Sequence, residues 1–130
     1  MERLFFVLSG VYGFLGVALG AFGAHGLKAR LDALPDGALR ASWWQTGSQY
    51  HLIHALAIAL AAHLAARTGG SAATAAGFLF AGGVLLFSGS LYVMTLTGTR
   101  ALGAVTPLGG LLLLAGWVSV TVAALGIAKG

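Results

Sequence analysis

Long stretches without a charged side chain alternate with short polar breaks along this chain. The first stretch runs from Leu4 to Ala24, with Arg3 before it and His25 and Lys28 after it. The second runs from Ser42 to Ala66 and is closed by Arg67. The third, Ala72 to Thr99, is closed by Arg100, and the fourth, Ala101 to Ala128, by Lys129. A hydrocarbon core of about 30 Å needs roughly 20 apolar residues at about 1.5 Å each. Each stretch meets that length. The pattern therefore predicts four transmembrane helices, over about 4–25, 42–66, 72–97 and 104–128, in one membrane domain covering residues 1–130.

The breaks RTGGS (Arg67–Ser71) and TGTRALG (Thr97–Gly103) are short. Short connections make consecutive helices antiparallel neighbours. The expected fold is an all-α, antiparallel four-transmembrane-helix bundle with both termini on one side. A cleaved signal competes for the first stretch, since a basic start and the small residues of GAFGA suit one. That apolar run is longer than the roughly 7–15 residues of a signal core, so a retained span is expected.

The first break is longer. Leu27, Leu31 and Leu34 recur at helical spacing with Lys28, Arg30 and Asp32 between them. That pattern predicts a short amphipathic helix in the membrane interface. Pro35-Asp36-Gly37 turns the chain, with Asp36 placed to cap the next helix. Trp43 and Trp44 are expected in the aromatic belt where that helix enters lipid.

Composition sharpens the picture. The chain is 58% hydrophobic and 8% charged, against about a quarter charged in soluble domains. The lipid bilayer is the expected partner. The absence of cysteine excludes disulfides, thiol redox chemistry and thiolate metal sites. The net charge of +4 comes from seven basic residues set singly at segment ends. They read as membrane anchors and not as a nucleic-acid surface. The face holding the first break carries Lys28, Arg30, Arg40 and Arg100; the other carries Arg3, Arg67 and Lys129. That is a narrow positive-inside vote for the first face, called the B face below, in the cytoplasm.

Helix one carries Gly10, Gly13, Gly16, Gly20 and Gly23 at spacings of three or four residues. Apolar helices gain no hydrophobic drive to associate in lipid, so close contact must hold them together. The stripe is expected to pack a neighbouring helix, within the bundle or across a homo-oligomer seam.

Polar side chains concentrate toward the B face. They include His25 at the end of helix one, Gln49, Tyr50, His51 and His54 in SQYHLIHAL, Ser88, Ser90 and Tyr92 in helix three, and Thr106 opening helix four. Buried polar groups in lipid cost several kcal/mol unless partnered. A polar pocket opening to the B face and lined by these residues is expected. His51 and His54 lie about 60° apart around the helix, so both can turn inward. His63, near Arg67, is expected at the opposite interface. The imidazoles could hold helices together, recognise a small ligand, or bind a metal or haem. His25, His51 and His54 are the only candidate metal ligands, and a metal site would need all of them. No catalytic residue is nominated, because Glu2, Asp32 and Asp36 lie outside the spans and no nucleophile motif is present.

GAFGAHGL (Gly20–Leu27), WWQTGSQYHLIHALAIAL (Trp43–Leu60), FSGSLYVMTLTG (Phe87–Gly98) and TPLGG (Thr106–Gly110) resemble one family. These are small four-helix membrane proteins catalogued as domain of unknown function four-two-three, bacterial with a eukaryotic transmembrane relative. The resemblance covers nearly the whole chain and implies a bacterial inner (plasma) membrane protein. Its motif positions here are His25, Tyr50, His51, His54, Ser88, Gly89, Ser90, Tyr92, Pro107 and Gly109. It implies no activity and no cofactor. The functional expectation is a binding, transport or assembly role, with a histidine-ligated metal or haem protein as the alternative.

Overall fold

The computed structural model describes residues 1–127. Ala128 and Lys129, expected to end and close the fourth span, lie outside the described residues. The helices are α1 (Glu2–Ala24), α2 (Lys28–Asp32), α3 (Gly37–Thr68), α4 (Ser71–Thr97) and α5 (Thr106–Leu125), with a 3-10 turn at Arg100–Ala104. α1, α3, α4, and α5 with its preceding turn, are long and apolar enough to cross a membrane. The chain is thus an all-α, four-span antiparallel membrane bundle, with α2 as the short interfacial helix.

The local chemistry explains most helix ends. α3 and α4 end at Gly69 and Gly98, whose φ values of +58° and +72° suit a residue without Cβ. Their N–H groups close the last turns on the carbonyls of Ala65 and Met94. Pro107 sits in the first turn of α5, where its missing N–H is harmless.

α3 starts at Gly37, earlier than the uncharged stretch suggested. Arg40 fits inside the helix because Asp36 neutralises it, with Nε donating to Oδ2 at 3.0 Å. Asp36 is therefore an ion-pair partner and makes no side-chain cap bond. Gly37 packs against the Leu31 carbonyl, where any Cβ would collide. With 32 residues, α3 is about 48 Å long, so its first turns stand outside the hydrocarbon.

α3 and α4 pack together at the centre, and α1 and α5 flank them. α1 lies on α3 and touches α4 through Phe5, whose ring fills the space beside Gly77, and through Tyr12. α5 lies on α4 and reaches α3 through Trp117. The half of the bundle away from the B face has an apolar core that includes Phe5, Ile58, Ala61, Ala76 and Phe80. Large apolar side chains such as Phe14, Leu56, Leu85 and Leu125 point outward. In a membrane that surface meets acyl chains, so its exposure needs no protein partner.

Two packing expectations change. Trp44 is buried with Leu27 and Leu31 of the interfacial segment and donates from Nε1 to the Leu19 carbonyl at 2.8 Å. The early start of α3 and the fold-back of α2 bring position 44 under a lid, so its ring faces protein and not lipid. The α1 glycine stripe is also only partly used. Gly16 meets Leu52 and His51, and Gly23 meets the Trp44 ring, but a Cβ on Gly10, Gly13 or Gly20 would meet nothing within 4 Å. A glycine-dependent approach between spans lies elsewhere: a Cβ on Gly109 would strike the backbone of Phe87, fixing how closely α5 rides on α4.

Candidate functional site: two histidines in separate surroundings

The buried polar side chains among the described residues are His51, His54, Ser88, Ser90 and Thr95; His54 lies at the middle of α3 and the others in the B half of α3 and α4. Most are satisfied locally or across one helix pair. Ser88 donates to the Gly47 carbonyl at 2.7 Å, joining α4 to α3. Thr95 bonds the Arg40 and Leu91 carbonyls. Ser90 donates to the Phe87 carbonyl at 2.9 Å or meets Thr106 Oγ1 at 2.6 Å, which ties the start of α5 to α4.

His54 faces α5. Its Nδ1 lies 2.7 Å from the Tyr50 carbonyl. A carbonyl only accepts, so Nδ1 carries the proton. Nε2 is then an acceptor, and Trp117 Nε1 donates to it at 3.1 Å. Both ring nitrogens are committed in one neutral tautomer. Tyr50 stacks on the ring at 5.9 Å between centroids, and Phe80 and Trp117 complete an aromatic cage.

His51 faces α1. Its Nδ1 is 3.0 Å from the Tyr92 hydroxyl. The Tyr12 ring stands edge-on to it at 5.8 Å, and Tyr12 donates its own hydroxyl proton to the Ala81 carbonyl at 3.0 Å. Nε2 of His51 is buried and has no hydrogen-bond partner. The residue is 5% exposed. A cavity of about 190 Å³ adjoins it, lined chiefly by Leu15, Leu19, Val84, Leu85, Ser88 and Gly89, with Tyr12, His51 and Tyr92 at its polar side.

The single expected pocket is thus divided. His51 and His54 turn to opposite flanks of the α3–α4 contact, toward α1 and α5 respectively, because the 60° between them straddles the line where α4 packs. His25 is exposed at the C-terminal end of α1, its backbone N–H bonded to the Ala21 carbonyl, and lines neither place. The chain turns into α2 there and carries the imidazole outward. Gln49 and, in part, Tyr50 are on the outer face of α3. His63 is exposed.

Two contributors escaped the sequence reading, Tyr12 and Trp117. Each had a signal. A lone hydroxyl in an apolar span needs an acceptor, and an indole N–H far from either interface needs one too.

Helices, satisfied hydrogen bonds between them and a lipid-facing exterior define a small multipass integral membrane protein. The chain belongs to the family described as "Protein of unknown function (DUF423)", which matches residues 19–110. It is 44% identical to the UPF0382 membrane protein YwdK of Bacillus subtilis (strain 168), over 94% of this chain and 96% of that one. It is 41% identical to the UPF0382 inner membrane protein YgdD of Escherichia coli (strain K12), over 95% and 91%. A UPF0382 membrane protein of Haemophilus influenzae is 40% identical over 92% of each chain. No solved structure matches. The bacterial inner (plasma) membrane is accordingly its location.

Proposed function

We propose that this protein is a binding protein of the membrane, and that the cavity between α1, α3 and α4 is its site, with His51 as the recognising group. The single observation that carries this reading is the unpartnered Nε2 of His51 beside that cavity. Leaving a buried donor or acceptor unsatisfied costs about 1–3 kcal/mol. The Nδ1 bond to Tyr92 is the structural use of the imidazole, and the unspent Nε2 leaves it a second one. Ser88, Ser90, Tyr92 and Thr106 are the surrounding framework, and Gln49, Tyr50 and His25 have no part in the site.

The test is extraction from its membrane in polymer nanodiscs followed by mass spectrometry of bound molecules. Wild type should carry a molecule near stoichiometric amount, and Gly89→Leu should lose it. Nothing lies within 4 Å of a Cβ at Gly89, so the leucine enters the cavity without striking backbone. Equal contents in both proteins would remove the binding reading.

A second reading, assembly into a homo-oligomer through α1, is favoured by Gly10, Gly13 and Gly20, where an added Cβ would meet nothing within 4 Å and a neighbouring helix has room to approach. The metal or haem alternative finds no ligand set. His54 has no free nitrogen, His25 is remote, and no three His, Cys, Asp or Glu side chains cluster among the described residues.

A further inference from the structure

The hydrogen-bond pattern around His51 says which chemistry the cavity would accept. Among the described residues, the Tyr92 hydroxyl has one hydrogen-bond partner, Nδ1 of His51 at 3.0 Å. Two tautomers can fill that bond. If Nδ1 donates, the Tyr92 proton has no acceptor and Nε2 is a bare lone pair, leaving two groups unmet. If Tyr92 donates, only one group is unmet, the Nε2–H. The second arrangement costs less, so the His51 ring beside the cavity carries a lone, buried N–H donor. The Tyr12 backbone carbonyl lies near the ring, outside hydrogen-bond geometry for Nε2.

The rest of the lining is hydrocarbon. Val84, Leu15, Leu19 and Leu85 offer nothing polar, Ser88 already donates its proton to Gly47, and no charged side chain lines the cavity. A charged head would be desolvated there without a counter-charge. A lone water is poorly held too, since buried water typically makes about three hydrogen bonds. The walls at Leu15 and Leu85 are 43% and 65% exposed, and both lie within spans, so the opening faces acyl chains and not either aqueous side.

Resting on the reading of this cavity as the binding site, we propose that its ligand is a neutral, lipid-soluble molecule. It has one hydrogen-bond-accepting head, a carbonyl, ether or hydroxyl oxygen, and enters sideways from the bilayer between α1 and α4. The head accepts from His51 Nε2–H, and the apolar body lies along Leu15, Leu19 and Leu85 with its remainder in lipid. Gly89 keeps the passage open on α4.

The test is equilibrium binding to the full chain in nanodiscs, using 2-undecanone, undecane and undecanoate as probes. The ketone should bind about tenfold more tightly than the hydrocarbon, the size of one net hydrogen bond. Undecanoate should bind no better than undecane. His51→Phe should bring the ketone down to the hydrocarbon's level and leave the hydrocarbon unchanged. Gly89→Leu should abolish binding of both.

Ketone and hydrocarbon binding equally, or undecanoate binding best, with Gly89→Leu still blocking, overturns the ligand class and leaves the binding site standing. Binding indifferent to Gly89→Leu overturns both. If ketone binding is unchanged in His51→Phe, Nε2–H does not receive the head and the proposal fails. A thermal melt and nanodisc incorporation of each variant establish folding, and His51→Leu serves as a second apolar replacement if the phenylalanine does not fit.

Discussion

At the scale of single residues, the two imidazoles three positions apart do different work. His54 is a clasp. Its donor closes on its own helix, and its acceptor takes the Trp117 N–H from α5. Trp117→Phe should therefore destabilise the protein by about 1 kcal/mol, the upper part of the range measured for interhelical hydrogen bonds in membranes. A double-mutant cycle with His54→Phe, read by thermal or denaturant unfolding in detergent, should show coupling between the two sites. Independent, additive losses would contradict the clasp. His51 differs: its Nδ1 holds the Tyr92 hydroxyl and its Nε2 is unmet, so His51→Phe removes one unmet group and creates another, and its net change in the same assay should stay within about 1 kcal/mol. The residue types were legible in the sequence as groups that must be satisfied. Their partners were not, because Tyr12 and Trp117 come from spans far away in the chain. His25 shows the same limit from the other side: it shares the polar end of the bundle, yet the turn into α2 carries it out of reach.

Among the elements, the decisive contacts are between α4 and α5 and at the B end of α3. Gly109 is the closest approach of α5 to the α4 backbone. Gly109→Leu should push α5 off Phe87 and cost on the order of 3 kcal/mol or more, at the upper end for overpacking. Gly13→Leu, where an added Cβ would meet nothing within 4 Å, should change monomer stability by less than about 0.5 kcal/mol. Unfolding of the two variants side by side checks the contrast. Mass measurement in native micelles checks the assembly reading, since Gly13→Leu should dissociate an oligomer built on that face. Arg40 holds another junction. It pairs with Asp36 and reaches the Thr95 carbonyl at 3.4 Å, near the C-terminal end of α4, where cations are favoured. Arg40→Ala should lower stability by about 1 kcal/mol, with the deficit shrinking at high salt. α3 starts earlier than the uncharged stretch in the sequence. There the rule that charge ends a span failed, because Arg40 is neutralised within the helix and by the fold-back of α2.

For the whole molecule, burial is uneven. The membrane-spanning windows of α3 and α4 are 44% and 50% buried inside the protein, those of α5 and α1 22% and 11%. The central pair should be the last part to come apart, and α1 the first. Hydrogen exchange in detergent should show slower amides in the α3–α4 contact than in α1. Uniform protection would argue for a single cooperative unit. This arrangement also suits the site proposed between α1, α3 and α4, because the least buried helix forms one wall of its opening.

What the sequence determined alone was the membrane class, the number of spans, their antiparallel order and the crowding of polar groups toward one end. These follow from the length and charge-free character of each stretch, because lipid imposes the same demand on every residue of a span. What only the tertiary structure decided was which face of each helix meets which neighbour. That choice split His51 from His54, buried Trp44, left room beside Gly10, Gly13 and Gly20 and set one imidazole nitrogen without a partner. Near-uniformly apolar helices encode no inward face by hydropathy, so side-chain shape and interhelical hydrogen bonds had to choose it.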